Sequence, residues 1–234
     1  MILVGIDDTD MPGTRGTNQL ARLIARAVAP RYRCLGIVRH QLCGDPSIPC
    51  TSKNGSASLW FEATAEDDRA WLVETIRATM RSDFIPGSDP GLCVAESVSD
   101  GVVLFALKAQ REVVTQAEAR AVARVAGLHL EGLGGTEGGV IGALAAVGLA
   151  ATGDDGRVVQ WNGDDGELDG GRGGRVSVAR IRERGVLVRD DAGVDIVEGT
   201  VEVRKKLRPN VRGGKIVLTV EPIGDGEWRA RKLL

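Results

Sequence analysis

Aromatic and imidazole side chains are scarce in this sequence. Phe, Trp and Tyr make up 3% of its 234 residues, and it contains 2 histidines. So few aromatic residues argue against a protein that binds single-stranded nucleic acid mainly by base stacking. The four cysteines form no C-x-x-C pair and have no histidine at zinc-ligand spacing: Cys34, Cys43, Cys50 and Cys93. A zinc site built from these cysteines is therefore not expected.

Long apolar runs and an excess of one charge are also lacking. No apolar run approaches the roughly 18 residues of a transmembrane helix, and the chain opens on a strand pattern rather than a basic and apolar leader. We therefore predict a cytoplasmic protein with reduced thiols and no membrane partner. Lys and Arg (30) nearly balance Asp and Glu (32), so binding to nucleic acid would need a local basic patch. The oligomeric state stays open, a homo-oligomer included.

The N-terminal run from Ile2 to Ile6 predicts a buried strand, which ends on Asp7, Asp8 and Asp10. Two carboxylates about 4 Å apart repel each other by roughly 1 kcal/mol in water, and a divalent cation would remove that cost. Oxygen ligands without His or Cys favour Mg²⁺ that is shared with substrate phosphates. The three aspartates are therefore predicted metal ligands, and the alternative is an ordinary solvated acidic turn.

A loop rich in Gly and Pro follows, and the sequence then predicts a helix from Thr17 to about Val28, capped by Thr17 or Asn18. The start of this helix offers N–H groups and a positive dipole end to phosphates.

A second loop, residues 50–57, combines hydroxyl groups with one lysine and an Asn-Gly pair ahead of a predicted strand over residues 58–62. Such a loop can hold an anion, although a plain hairpin turn fits the same residues. Its candidate cofactor-binding residues are Lys53, Asn54, Gly55 and Ser56.

A glycine-rich stretch over residues 132–139 runs into an alanine-rich helix over residues 140–148. A glycine-rich backbone can approach a ligand closely, which makes Gly138 and Gly139 candidate phosphate contacts. Mere flexibility is the alternative, but the small residues of the helix imply tight packing.

The segment between these loops predicts strand, helix, strand, strand and helix. Four of these elements have predicted bounds: a strand over 58–62, a helix over 66–81, a strand over 102–107 and a helix over 116–125, with a loop over 83–91. Thr115 and Glu118 form a capping box ahead of the last helix. This order suggests a ferredoxin-like unit over residues 58–127.

The C-terminal residues, from about 175, alternate in a pattern typical of a small β-rich module, and residues 170–174 resemble a linker. The module is locally basic, through Arg204, Lys205, Lys206, Arg208, Arg212 and Lys215. This cluster is either a solvated β-face or a patch for an RNA backbone or phosphate.

Three stretches together resemble the N-terminal part of the archaeal tRNA-isoleucine agmatinylcytidine synthetases, the TiaS family. Residues 5–10 match the family's G-I-D-D-T-D, and residues 141–148 match its I-G-A-L-A-A-[VI]-G helix. Ile48-Pro49 and residues 51–57 match its I-P and K-T-R-G-N-G-A-like loop loosely, and Asp89-Pro90-Gly91 is a weaker match.

The resemblance implies an ATP-dependent phosphotransfer site, Mg²⁺ on the acidic cluster, and a ferredoxin-like domain between the kinase-like segments. By position, Thr17 corresponds to a threonine that becomes phosphorylated in the family. The family's basic loop residues fall on Thr51 and Lys53, a further basic residue falls on Gly138, and its OB-fold and zinc-ribbon modules have no counterpart here.

These observations predict a mixed α/β chain in three parts: a kinase-like nucleotide-binding domain (1–57 and 128–174), a ferredoxin-like insertion (58–127) and a β-rich module (175–234). The predicted function is a Mg-ATP-dependent phosphotransferase or ATP-cleaving ligase, with Asp8 and Thr17 as catalytic residues and RNA or a small molecule as acceptor. One alternative is a metal-dependent phosphatase with Asp8 as nucleophile and Asp10 as acid. Another is a non-catalytic module that binds nucleotide or RNA.

Overall fold

The computed structural model describes residues 1–50, 53–63, 68–167 and 174–233. The chain divides into two compact units, Met1–Thr152 and Gly153–Leu234. Among the described residues, the elements of the first unit are β1 (Ile2–Asp7), α1 (Thr17–Val28), β2 (Cys34–Gln41), β3 (Gly55–Phe61), α2 (Arg69–Ser82), β4 (Gly91–Ala95), α3 (Asp100–Ala109), α4 (Gln116–Val125), β5 (His129–Gly132) and α5 (Val140–Thr152).

The strands of the first unit form one sheet in the order β5-β4-β1-β3-β2, and every neighbouring pair is antiparallel. Asp7 lies opposite Gly91 of β4, and Ile6 lies opposite Ala57 of β3. The carboxyl end of β1 therefore meets the amino ends of β3 and β4. This register brings the chain segments before those two strands to the aspartates that follow β1.

The helix α5 packs on β1, β3 and β4 and lies beside α3. Most of its residues are buried, as expected for a helix made of small and aliphatic side chains. A Cβ at Gly5 would lie 1.9 Å from the carbonyl oxygen of Ala143, so only glycine allows this close approach of strand and helix. The main core between them includes Leu3, Phe105 and Leu144.

Several predicted elements of the first unit are confirmed. The structure contains the first strand, the helix over residues 17–28 and the helix over residues 116–125. The capping box is also present: Thr115 accepts from the N–H of Glu118, and the Glu118 side chain accepts from the N–H of Thr115. The prediction of a mixed α and β fold is confirmed as well.

Three local predictions are wrong. Residues 102–107, predicted as a strand, lie inside α3, because a short apolar run does not separate a strand from a buried helix. The sequence predicts no strand where the structure has β4, and the predicted loop over residues 83–91 ends on its first residue. Helix α1 is not capped by Thr17 or Asn18: its N-cap is Gly16, which makes no side-chain bond, and Thr17 is the first helical residue.

The second unit is rich in β-structure, as predicted. Its described elements are β6 (Arg157–Trp161), β7 (Gly174–Ser177), α6 (Val178–Glu183), β8 (Leu187–Arg189), β9 (Thr200–Val203), β10 (Asn210–Arg212), β11 (Lys215–Gly224) and β12 (Glu227–Ala230). The strand order is β6-β10-β11-β12-β9-β7, and β8 pairs with β11 in parallel.

The three-part domain division stays a prediction. Strands assigned to the kinase-like domain and to the ferredoxin-like insertion share one sheet, while the compact units divide at Thr152. Apart from Gly174, the predicted linker lies outside the described residues. Within the described ranges, no helix has the length and apolar character needed to cross a lipid bilayer.

Candidate functional site

A cavity of about 260 Å³ opens at the carboxyl end of β1. Four segments of the first unit line its polar side: the acidic turn after β1, the loop before β3, the residue two positions before β4, and the glycine-rich loop before α5. The residues that these segments contribute are Asp7, Asp8, Asp10, Lys53, Asn54, Gly55, Asp89, Thr136, Gly138, Gly139 and Gly142. The structure therefore brings most of the sequence-predicted site residues to one place.

Asp7 is the last residue of β1 and points toward α5. A Cβ at Gly142 would lie 1.7 Å from Oδ2 of Asp7, so the glycine leaves the space that this carboxylate occupies. Asp8 follows with φ of 49°, in the left-handed region that aspartate adopts more readily than most residues. The chain therefore turns sharply within the acidic cluster.

Arg15 holds the loop after the acidic turn in place. Its guanidinium is ion-paired with the carboxylate of Asp83, and Nη2 donates to the carbonyl oxygen of Asp83 at 2.7 Å. Its Nη1 donates to the carbonyl oxygen of Thr9 at 2.9 Å. These bonds fix the position of the loop relative to the end of α2, so the Arg15 charge already has partners within the fold.

Burial disfavours the charged form of all three N-terminal aspartates. It raises the pKa of Asp7 to about 8, and the charges of Asp8 and Asp10 add to this shift. The pKa of Asp8 is raised first by burial and then by the charges of Asp89 and Asp10. Burial also raises the pKa of Asp10, although Arg15 and a hydrogen bond from Thr17 oppose that shift. A positive charge bound beside these aspartates would therefore stabilise their ionised form.

Asp89 is a cavity residue that the sequence reasoning did not select. Its Oδ1 accepts from the N–H of Thr136 at 2.9 Å, and its Oδ2 accepts from the Thr136 hydroxyl. Asp89 therefore tethers the glycine-rich loop and also adds a fourth carboxylate to the acidic wall. Its only sequence signal was the weak match of Asp89-Pro90-Gly91 to the family pattern.

The two predicted glycines of the loop differ in what their N–H groups do. The N–H of Gly139 donates to the carbonyl oxygen of Asp89 at 2.9 Å, so it is engaged within the protein. No acceptor for the N–H of Gly138 exists among the described residues. Of the two predicted phosphate contacts, Gly138 therefore has the N–H group that is available to donate a hydrogen bond to a ligand.

The loop before β3 contributes one cation and two structural residues. Lys53 is exposed and lines the cavity. The amide of Asn54 donates to the carbonyl oxygen of Cys43 at 2.8 Å, and Gly55 begins β3. Ser56 is buried and does not line the cavity, so the structure separates it from the other predicted contacts. Thr51 and Ser52 lie outside the described residues.

Thr17 lies beside the acidic cluster but does not line the cavity. Its Oγ1 accepts from the hydroxyl of Thr9 at 3.1 Å, and its own hydroxyl interacts with the Asp10 carboxylate. The side chain is therefore held by two partners near the cavity rim.

The rest of the cavity lining is mainly apolar, with one carboxylate among its members. It is formed by Leu42, Ile48, Pro49, Cys50, Ala109, Glu112, Val113, Val114 and Ile141. A cavity lined by both carboxylates and apolar side chains is typical of a pocket in which a few polar groups orient a ligand.

The acidic wall offers only oxygen ligands, which suits Mg²⁺. Among the described residues, however, no three acidic, imidazole or thiol groups are grouped closely enough to hold a metal ion unaided. The arrangement fits a Mg²⁺ ion that takes one or two carboxylates and completes its shell with water and substrate phosphates. The predicted site with all three aspartates as ligands stays a prediction.

Comparisons with known proteins agree with the family resemblance, although no family model matches the chain. The chain is 29% identical over 153 residues to the tRNA(Ile2) 2-agmatinylcytidine synthetase TiaS of Pyrococcus horikoshii, which covers 63% of the chain and 35% of that protein. A crystal structure of a TiaS–tRNA(Ile2)–ATP complex matches with a TM-score of 0.55 and 29% identity, over 63% of this chain and 36% of that one.

Other TiaS structures give the same result. A TiaS–tRNA(Ile2)–AMPCPP–agmatine complex matches with a TM-score of 0.53 and 28% identity, over 62% of this chain and 35% of that one. The chain thus spans about a third of the length of these relatives, and the matched length is close to that of the first unit. Over the matched residues, the chain is similar to TiaS, as its sequence motifs predicted.

Proposed function

We propose that the first unit binds Mg-ATP in the cavity beside β1 and cleaves it to drive the modification of an RNA. The observation that carries this proposal is the convergence of four carboxylates, from the segments before α1 and β4, with the glycine-rich start of α5 in one cavity. Carboxylates for a metal ion and backbone N–H groups for phosphates are the two requirements of a phosphoryl-transfer site. The TiaS structure in complex with tRNA and ATP supports this reading.

Within the proposed site, one or two of the carboxylates of Asp7, Asp8 and Asp10 would hold Mg²⁺ together with phosphate oxygens. The bound ion would neutralise the charge that develops on those oxygens during transfer. Lys53 and the N–H of Gly138 would contact the phosphates. The apolar part of the lining would exclude water from the reacting groups, which strengthens every electrostatic interaction inside the cavity.

Thr17 is the proposed protein-side acceptor hydroxyl. Its position beside Asp10 would allow that carboxylate to take the hydroxyl proton as the terminal phosphoryl group passes from ATP to Oγ1 of Thr17 and ADP leaves. The RNA is the proposed acceptor or final substrate, and basic residues of the second unit are its proposed contacts.

The experiment compares ATP consumption by the wild type, Asp8→Asn and Asp100→Asn, with and without bulk tRNA. Asp100 is exposed at the start of α3 and outside the cavity, so its substitution removes the same charge elsewhere. We expect the wild type and Asp100→Asn to consume ATP, and Asp8→Asn to lose at least a hundredfold in rate, about 2.7 kcal/mol of transition-state stabilisation. Tandem mass spectrometry of the same samples would show whether Thr17 carries phosphate.

Equal consumption by Asp8→Asn and the wild type would contradict the proposal. The phosphatase alternative would instead give a covalent phosphate on Asp8 and phosphate release from phosphorylated substrates without ATP. The binding-module alternative would give Mg-ATP binding in a titration but no turnover with any acceptor.

A further inference from the structure

The second unit contains a cavity of about 450 Å³ that is lined mainly by cationic side chains. We call it the basic cavity and define it by its cationic side chains: Arg204, Lys205, Lys206, Arg208, Arg229, Arg231 and Lys232. One carboxylate, Glu221, lies among them, and Val203, Leu218 and Ala230 complete the lining. The net charge of the whole chain is −2, so this concentration of positive charge is local.

The fold assembles the basic cavity from two chain segments. Residues 204–208 follow β9, and residues 229–232 include the end of β12. Because β9 and β12 are parallel neighbours, their carboxyl ends lie side by side and the two basic segments meet. Lys215 of the sequence-predicted cluster lies outside the cavity, and so does Arg212, which donates to the carbonyl oxygen of Asp154 at 2.9 Å.

Only part of this positive charge is balanced within the protein. Three of the cations are ion-paired: Lys206 with Glu167 at 3.3 Å, Arg229 with Glu202 at 3.3 Å, and Arg231 with Asp191. The side chains of Arg204, Lys205, Arg208 and Lys232 have no hydrogen-bonding or ion-pairing partner in the part of the chain that the structure describes. Like charges held on one concave surface attract an anion strongly and repel one another without it.

The lining favours a phosphate backbone over a stacked base or a protein partner. Among the described residues that line it there is no aromatic side chain, which a base would need for stacking and which the centre of a protein interface usually provides. Its cations are mostly exposed Lys and Arg, the groups that contact phosphate oxygens without reading sequence. Their spread over two segments suits a chain of phosphates better than a single anion.

We propose that the basic cavity binds the phosphate backbone of RNA without base specificity, and so anchors the RNA substrate on the second unit. This inference rests on the proposed function for the identity of the polyanion. RNA binding by the basic cavity can nevertheless be measured without ATP, because counterion release depends only on the phosphate contacts.

The test uses the full chain and fluorescence anisotropy with a fluorescein-labelled RNA hairpin, without ATP or Mg²⁺. The cavity variant is Arg204→Ala/Lys205→Ala/Arg208→Ala. The matched control is Arg81→Ala/Arg124→Ala/Lys215→Ala, which removes the same charge from exposed residues outside the cavity. Circular dichroism melting of both variants confirms that each is folded.

We expect the cavity variant to bind the hairpin at least tenfold more weakly than the wild type at low salt. The slope of log Kd against log salt concentration should fall by about 2, since each lost phosphate contact contributes about 0.7–0.9. The control should stay within about threefold of the wild type. Hairpins of different sequence should bind alike, because backbone contacts carry no sequence information.

Equal loss in the cavity and control variants would overturn the proposal, because binding would then depend on net charge alone. Full competition by stoichiometric pyrophosphate would also overturn it and indicate a small-anion site. Tighter binding of poly-glutamate than of RNA would overturn it in favour of an acidic protein partner. Equal ATP consumption by Asp8→Asn and the wild type, together with weaker hairpin binding by the cavity variant alone, would contradict the proposed function and support this inference, so the two proposals fail separately.

Discussion

Substituting Gly142 by alanine tests whether the Asp7 carboxylate acts in the cavity. A Cβ at position 142 would lie 1.7 Å from Oδ2 of Asp7 and 2.4 Å from its Cγ, far inside contact distance. The two nearest atoms belong to the Asp7 carboxylate, which can rotate away, whereas Cβ of Asp7 at 2.9 Å needs only a small shift of strand or helix. The variant therefore moves the carboxylate without removing it.

The expected change in stability is small because two effects oppose each other. Inside a helix, alanine is favoured over glycine by about 0.5–1 kcal/mol. Overpacking costs about 1–3 kcal/mol, and a side chain that can rotate should place Gly142→Ala near the lower limit. The free energy of unfolding should therefore change by no more than about 1 kcal/mol. The affinity for Mg-ATP should fall at least tenfold, which is about 1.4 kcal/mol.

Gly148→Ala is the matched control in the same helix. There the new Cβ would lie 2.6 Å from the carbonyl oxygen of Val102 and 2.5 Å from Cβ of Ala106, and a backbone cannot rotate away. We expect Gly148→Ala to lose about 1–3 kcal/mol of stability while the folded protein keeps its Mg-ATP affinity.

Urea unfolding monitored by circular dichroism gives the stability, and isothermal titration with a non-hydrolysable ATP analogue and Mg²⁺ gives the affinity. Wild-type affinity in Gly142→Ala would refute the placement of Asp7 in the site. A large loss of stability in this variant would refute the argument that the Asp7 carboxylate moves to make room for the new Cβ.

Two further predictions concern structure away from the cavity. Thr115→Ala removes the cap of α4 and should lower the free energy of unfolding by about 1 kcal/mol in urea titrations, whereas an unchanged value would contradict the role of the cap. Burial by itself would raise the pKa of Asp164, but the hydrogen bonds from Arg184 and from the N–H of Gly166 outweigh burial and lower it. A lowered pKa stabilises the fold above the ordinary aspartate value of about 3.9, and this stabilisation is lost as pH falls through the native value. Arg184→Ala should therefore be less stable than the wild type at neutral pH, and the difference should shrink in acid; a constant difference would contradict this account.

Sequence features that depend only on neighbouring residues predicted their secondary structure correctly in three places. The apolar run that ends at Asp7 predicted β1, the period of the apolar residues predicted α1, and the Thr115–Glu118 pair predicted the start of α4. Each of these features depends on residues within a few positions of one another. The run over residues 102–107 failed because its six apolar residues satisfy a buried helix and a buried strand equally well.

Asp89 could not be predicted because its role depends on pairing between distant strands. It reaches the cavity only because β4 is antiparallel to β1 and places Gly91 opposite Asp7. Since the sequence did not reveal β4, it gave no reason to bring Asp89 near the N-terminal aspartates. For the same reason the sequence named Gly139 as a candidate phosphate contact but could not show that its N–H is already bonded to the carbonyl oxygen of Asp89.

The acidic turn after β1 combines several features that are individually unfavourable. Asp8 adopts a left-handed conformation, and burial raises the pKa of Asp7, Asp8 and Asp10. No three potential metal ligands among the described residues are preassembled, so the fold alone does not relieve these costs. A cation that arrives with a polyphosphate would relieve the cost of burying the charged carboxylates, because it neutralises them and brings its own remaining ligands. Backbone strain and buried charge are expected at functional sites, and here both occur at the end of β1.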